Sequence, residues 1–164
     1  PVINFDISAL ESSEIRTLAM YVLLSWIWEK FGKKNPQLKK RIIVDEAWMM
    51  MSPNFAGYEH SSSFLENMSR RIRKRNGALC VASQKVEDFS STVKGSAIIS
   101  NAYTTIILSH ELQDRPVLQK IFDLDDGVVD HVIDAEVGRI LIKQAQQYHL
   151  VQVNRFENER RAMA

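Results

Sequence analysis

Two adjacent acidic residues, Asp45 and Glu46, directly follow the short stretch "RIIV" at residues 41–44, whose last three residues are apolar. The branched side chains of that stretch favour a buried strand, so both carboxylates would lie at one edge of a sheet. Carboxylates there can hold a divalent cation and polarise a water molecule. They can equally cap the next helix by accepting hydrogen bonds from its first amides. Both interpretations stay open on this feature alone.

A side-chain amide follows the next predicted strand, because Ser83 and Gln84 end the apolar stretch that starts at residue 78. Ligands of α/β sheets bind at the carboxyl ends of the strands, so we expect Gln84 to lie near the acids. An apolar strand ending in Asp-Glu has the form of the second acidic motif of P-loop ATPases, with Asp45 linked to Mg²⁺ and Glu46 polarising the attacking water. A neutral amide can bind a γ-phosphate or orient that water, because it both donates and accepts hydrogen bonds.

A basic segment, "RRIRKR" at residues 70–75, ends a predicted helix. Positive charge there complements the helix macrodipole, and a guanidinium group could reach a phosphate on a neighbouring subunit. A solvated basic face is the simpler alternative. The segment does not reveal whether Arg70, Arg71, Arg73 or Lys74 would make such a contact.

The elements that must position these side chains alternate between strand and helix. "VINFDIS" indicates an opening strand, and Ser8 and Glu11 have the spacing of a capping box for a helix over about residues 11–31 that is apolar on all sides. Residues 52–63 indicate a loop. Further strands are predicted at 78–83 and 104–109, a hairpin by "GRILIKQ" and "HLVQVN", and helices at about 64–75, 93–100 and 116–133. This order predicts an α/β fold with a mostly parallel sheet and helices on both faces.

Composition excludes several classes of protein. The 164 residues are 45% apolar and 25% charged with a net charge of +1, which is typical of one folded domain and gives no general affinity for nucleic acid. The single cysteine, Cys80, excludes an intrachain disulfide and indicates a small core residue of a reduced, cytosolic protein. The apolar stretch at residues 18–28 is too short to span a bilayer. Trp48 either packs under the following loop or, with residues 49–51, forms an adhesive surface.

The order "RIIVDEAW", "RRIRKRNGALCVASQ", "SNAYTTIIL" and "GRILI" resembles the C-terminal part of the large ATPases of type IV secretion and conjugative transfer, the VirB-four/TraC class. The likeness covers nearly the whole chain and includes the DEAW tetrapeptide. It implies a RecA-like motor domain that hydrolyses ATP with Mg²⁺ to power channel assembly or transport. It also implies a homo-oligomer, a hexamer in the family, with secretion-channel proteins as partners, DNA as a potential contact, and a cytoplasmic location at the inner face of the bacterial membrane.

The resemblance also implies residue roles. Asp45 would be the acid that holds Mg²⁺ through a water, Glu46 the acid that activates the attacking water, and Gln84 the phosphate sensor. Arg73 matches the arginine supplied to the nucleotide of the next subunit, with Arg70 and Lys74 as neighbouring candidates.

One family feature is missing from this sequence. None of the six glycines precedes a Lys-Ser or Lys-Thr pair, so the phosphate-binding loop G-x-x-x-x-G-K-[ST] is absent. We therefore expect residues 1–156 to be the C-terminal portion of a RecA-like ATPase domain whose phosphate loop lies upstream, residues 157–164 to be a tail, and this chain alone to be inactive. The alternative is a non-hydrolysing docking module that keeps the ATPase fold. A single-stranded nucleic-acid binder is less favoured, because no aromatic residues are interleaved with the basic clusters.

Overall fold

The structure, a computed structural model, describes residues 2–55 and 57–154. The chain divides into two compact units, with the boundary between Asn101 and Ala102. The first unit contains α1 (Ser13–Ile27), β1 (Lys40–Val44), α2 (Tyr58–Arg71), β2 (Gly77–Val81), α3 (Glu87–Ser90) and α4 (Val93–Asn101). The second contains β3 (Thr104–Ile107), α5 (Arg115–Phe122), α6 (Asp126–Val129), β4 (Arg139–Gln144) and β5 (Gln147–Gln152). The predicted tail at residues 157–164 lies outside the described residues.

The chain enters α1 without the predicted strand. Residues 2–7 pair with no strand in the part of the chain that the structure describes, so that prediction is wrong. The cap prediction is also wrong, because the helix begins after Ser12 instead of Ser8. The Ser12 hydroxyl accepts a hydrogen bond from the amide of Ile15 at 3.4 Å and donates one to the Glu14 carboxylate at 2.6 Å. The helix continues as a π-helical turn, Trp28–Gly32, which agrees with the predicted end near residue 31.

Only one face of α1 is buried within the first unit. Met20, Leu24 and Trp28 belong to its apolar core, whereas Leu18 and Trp26 on the other face are 63% and 44% exposed. The sequence predicted a helix covered on more than one side. Within the first unit this second face is covered only in part, where Phe5 and Phe31 lie against Trp26.

The parallel part of the predicted sheet is confirmed by β1 and β2. Their register places Lys40 opposite Gly77 and Val44 opposite Val81, so both strands end at the same edge. Alternate β1 residues point into the core, where Val44 is buried, while Ile43 is 67% exposed. Cys80, which was predicted to be a core residue, is exposed, because it lies on the face of the two-stranded sheet opposite the core of the first unit. Helices on both faces are therefore not observed here.

Helix α2 begins earlier than the sequence indicated. The Ser-rich stretch predicted as a loop is helical from Tyr58 onward, after Gly57 in the left-handed conformation. The buried hydroxyl of Ser61 donates to the carbonyl of Met50 at 2.9 Å, so serines that looked loop-like connect α2 to the segment after the acids. Leu65 and Met68 of the same helix lie in the core.

The second unit is built around an antiparallel sheet. β4 pairs with both β3 and β5, and the predicted β4–β5 hairpin is confirmed with Ala145 in the left-handed conformation at its turn. Ile107, Leu118 and Leu141 are buried. A mostly parallel sheet is therefore too simple a description, since three of the five described strands pair in antiparallel fashion. No described helix combines the length and apolar character that a membrane span requires.

Candidate active site

Backbone hydrogen bonds beyond the ends of β1 and β2 bring the predicted site residues together. The amide of Ala82 donates to the carbonyl of Val44 at 2.9 Å, and the amide of Ala47 donates to the carbonyl of Ala82 at 3.0 Å. These two bonds extend the parallel pairing past the strands. Asp45 and Glu46 therefore lie beside the loop that carries Gln84, as the sequence predicted.

Glu46 adopts an unusual backbone conformation. Its φ of 50° and ψ of 38° are left-handed, which costs of order 1–3 kcal/mol for a residue other than glycine. Glu46 precedes the short 3₁₀ helix Ala47–Met50, yet its side chain makes no capping bond to that helix. Asp45 Oδ1 instead accepts the Glu46 amide at 3.0 Å. The helix-capping interpretation therefore fails for Glu46, whose carboxylate is engaged elsewhere.

The Glu46 carboxylate has one donor on each oxygen. Gln84 Nε2 donates to Oε1 at 3.0 Å, and the indole Nε1 of Trp48 donates to Oε2. Glu46 and Trp48 are half-buried, whereas Gln84 is exposed. The carboxylate is thus held between two elements, the loop after β2 and the 3₁₀ helix after β1.

These residues line a cavity of about 500 Å³ in the first unit. That volume lies within the usual range for small-molecule sites, about 300–1,000 Å³. The opposite wall comes from the segment before α1 and from α1 itself. The lining residues are Asn4, Phe5, Asp6, Ile7, Ser8, Arg16, Met20, Asp45, Glu46, Trp48, Met49 and Gln84.

Arg16 is a lining residue that the sequence reasoning missed. It is the one cationic side chain among the residues that line this cavity. Its Nε donates to the carbonyl of Leu10 at 2.8 Å, which fixes the turn that precedes α1. No sequence signal identified it, because an arginine inside an apolar helical stretch is indistinguishable from any other surface position.

Asp45 fits the chemistry of a magnesium site. It is exposed and keeps one carboxylate oxygen without a partner among the described residues. Mg²⁺ usually binds through one or two carboxylates together with waters and substrate phosphates. No group of three or more potential metal ligands occurs in the described ranges.

The predicted arginine lies at the other end of the sheet. Arg73 belongs to the 3₁₀ helix Ile72–Arg75, directly before β2, whereas Gln84 follows the same strand. About 13 Å of strand separates Gly77 from Val81, at roughly 3.3 Å per residue. The structure therefore brings Asp45, Glu46 and Gln84 together within one copy of the chain and does not bring Arg73 to them.

The packing of Trp48 agrees with one of its two predicted uses. Its ring lies against Phe55 of the following loop, with centroids 6.3 Å apart. Met49, Met50 and Met51 are buried in the core, so they form no adhesive surface. The sequence reasoning missed the bond from Trp48 to Glu46, although a spacing of two residues within DEAW was a signal that could have suggested it.

Comparisons with known proteins indicate the family of this chain and support its fold. The model of the TraG P-loop domain family matches residues 1–149. The structure of VirB4 of Thermoanaerobacter pseudethanolicus is similar, with 25% sequence identity and a TM-score of 0.82 over 95% of this chain. This chain spans only 42% of that protein's length. No curated protein gives a match.

Proposed function

Because the chain belongs to the TraG P-loop domain family of type IV secretion and conjugation ATPases, we propose that it forms part of an ATP-hydrolysing motor. Such a motor would energise secretion or the conjugative transfer of DNA or protein. In this proposal residues 1–156 are the C-terminal portion of a RecA-like domain, and residues outside this chain supply the phosphate loop. This chain matches only 42% of the VirB4 structure, which is consistent with a complete protein that contains further segments.

The observation that carries the proposal is the contact between Glu46 and Gln84 at the carboxyl edge of β1 and β2. Carboxylate and amide meet in a cavity large enough for part of a nucleotide, at the sheet edge where α/β proteins bind ligands. A carboxylate in this position can polarise a water molecule, and an amide can contact the terminal phosphate.

The residues have separate tasks in this mechanism. Glu46 orients the attacking water and accepts its proton, while Gln84 binds the γ-phosphate. Asp45 would hold Mg²⁺ through a water molecule, and the ion when bound would neutralise charge on the phosphates. Half-burial of Glu46 limits its contact with bulk water, which strengthens each of these interactions.

The position of Arg73 supports action between subunits. In one copy it lies at the opposite end of β2 from Gln84, exposed to solvent. A neighbouring copy in a ring could place this guanidinium near the phosphates bound by the first copy. We therefore propose a homo-oligomer, a hexamer by analogy with the family, that acts with channel proteins at the inner face of the bacterial membrane. DNA contact is part of the same proposal for a conjugative motor.

Replacing one carboxylate tests this function. In the complete protein, Glu46→Gln should reduce ATP turnover by at least about 100-fold while nucleotide affinity stays within about threefold, because the amide keeps the shape but cannot accept the proton. Steady-state turnover and equilibrium nucleotide binding measure the two effects. The matched control is Glu136→Gln, an exposed carboxylate of the second unit beside Arg139, which should change neither.

The result also decides between motor and docking module. Parental turnover by the Glu46→Gln protein would overturn the role of Glu46. If the complete parental protein binds no nucleotide, the non-hydrolysing alternative is favoured. The ATPase fold would then serve as a docking surface for channel components.

A further inference from the structure

We propose that Trp48 is a positioning residue that orients the Glu46 carboxylate for its reaction with water. This inference rests on the proposed function, because it assigns a support to the acid that function requires. Nothing in the comparisons assigns a role to this tryptophan. The observation that carries it is the hydrogen bond from the indole Nε1 of Trp48 to Glu46 Oε2.

The two donors to Glu46 differ in how firmly they are held. Gln84 is exposed and lies on a loop, so its amide can turn toward a bound phosphate. Trp48 is fixed by its surroundings, because Ala47, Met49 and Met50 of the same short helix are buried and its ring contacts Phe55. Trp48 is therefore the donor that stays in place when Gln84 leaves.

The chemistry of the indole suits a support better than a reactant. An indole N–H only donates, so Trp48 cannot accept a proton or replace the attacking water. Its bond occupies Oε2 and leaves Oε1 to the water once Gln84 has turned to the phosphate. A glutamate side chain has several rotatable bonds, and one rigid donor removes much of that freedom before the substrate arrives.

The left-handed backbone of Glu46 belongs to the same arrangement. It turns the chain between β1 and the short helix, so Trp48 follows Glu46 by two residues and its ring reaches back to the carboxylate. A buried indole N–H generally finds a partner, and a backbone carbonyl would satisfy it equally well. The partner of this indole N–H is instead the Glu46 carboxylate at the edge of the cavity, and this contact links Trp48 to the proposed chemistry.

An isosteric replacement isolates the indole N–H. Nonsense suppression can place 3-benzothienylalanine at position 48 of the complete protein, which keeps the shape of tryptophan and replaces the N–H with sulfur. We expect kcat to fall about 10- to 100-fold with KM within about twofold, because orientation is lost while substrate binding is kept. The matched control is the same replacement at Trp26, which is not a lining residue and keeps its ring contacts with Phe5 and Phe31 because the shape is unchanged; it should keep parental turnover.

A second measurement separates positioning from a purely structural role. In the Glu46→Gln background, the replacement at Trp48 should cause no further loss of turnover, since the carboxylate that it orients is no longer present to react.

The indole signals in ¹H–¹⁵N spectra test the contact itself. Glu46→Gln should move the indole signal of Trp48 and leave those of Trp26 and Trp28 in place. An isosteric variant with parental kcat, while Glu46→Gln abolishes turnover, would overturn the inference and leave the proposed function intact. Parental turnover by Glu46→Gln would instead overturn the function and this role with it.

Discussion

The two ends of the β1–β2 pair are organised in opposite ways. At the carboxyl end, Glu46 is bonded to Gln84 and Trp48, and Asp45 holds the Glu46 amide. At the amino end, Arg73 and the other basic residues of the segment are exposed, and among them only Arg70 has a carboxylate partner in the described residues, Glu66 at 2.6 Å.

This difference indicates how each end is used. Polar groups that satisfy one another are pre-organised for chemistry within one copy of the chain. Exposed cations without carboxylate partners in the described ranges remain available to an anion from outside. The two halves of the proposed catalytic site would then come from different subunits.

Arg73→Ala should have the largest effect on catalysis. An arginine supplied to the transition state from another subunit contributes roughly 10³-fold or more to kcat, so we expect a loss of about that size in the assembled protein. Nucleotide affinity should change little. Steady-state turnover measures the loss, and Arg75→Ala, in the same short helix, is the matched control.

Mixed assemblies extend this test. Combining Arg73→Ala subunits with Glu46→Gln subunits should restore part of the turnover, because some interfaces then pair an intact arginine with an intact glutamate. Turnover that stays at the level of the single variants would contradict a contribution between subunits.

Leu65→Ala should have the next largest effect, a loss of unfolding free energy. It should weaken the support of both ends of the β1–β2 pair. Leu65 is fully buried in α2, the helix that runs from the Ser61–Met50 contact to the basic segment. Removing a buried leucine costs about 2–5 kcal/mol of unfolding free energy. Urea unfolding measures this, with the exposed Leu18→Ala as control. A loss under about 1 kcal/mol would mean that α2 does not connect the two ends through the core.

Gln84→Ala should have a smaller effect on catalysis than Arg73→Ala. This substitution removes the hydrogen bond from Gln84 to Glu46 and the proposed contact with the phosphate, while the hydrogen bond from Trp48 to the carboxylate remains. We expect kcat to fall about 10- to 100-fold. Single-turnover rates measure this, with Gln113→Ala in the second unit as control. A Gln84→Ala protein at the parental rate would remove the amide from the mechanism.

Arg70→Ala should have the smallest effect. Its ion pair with Glu66 is exposed, and such pairs contribute less than about 0.5 kcal/mol. Neither the urea unfolding midpoint nor turnover should change measurably. If Arg70→Ala loses most of its turnover while Arg73→Ala stays active, then Arg70, and not Arg73, is the arginine supplied to the neighbouring subunit.

The sequence was informative where local chemistry decides the structure. Asp45, Glu46 and Gln84 were predicted to meet, because parallel strands end at one edge and each strand was short, apolar and closed by a polar residue. The start of α2 was missed, because buried serines satisfy their hydroxyls within a helix and against Met50 instead of in a loop. Arg16 was missed because only tertiary packing places it at the cavity.

Other errors came from neighbours that sequence periodicity cannot reveal. Apolar residues on all sides of α1 predicted a helix covered on more than one side, yet Leu18 and Trp26 are exposed. The apolar stretch around Cys80 predicted a core position, yet this cysteine is also exposed. The resemblance to secretion ATPases identified the family, but the bond from Trp48 to Glu46 required coordinates.

The most direct test is the identity of the nucleotide that stays bound to the Glu46→Gln protein. The complete variant is incubated with ATP and Mg²⁺, separated from free nucleotide, and its bound nucleotide is extracted and quantified beside the parental protein. If Glu46 activates the attacking water, the variant should retain ATP while the parental protein retains ADP. Recovery of ADP from the variant in the parental proportion would contradict the account.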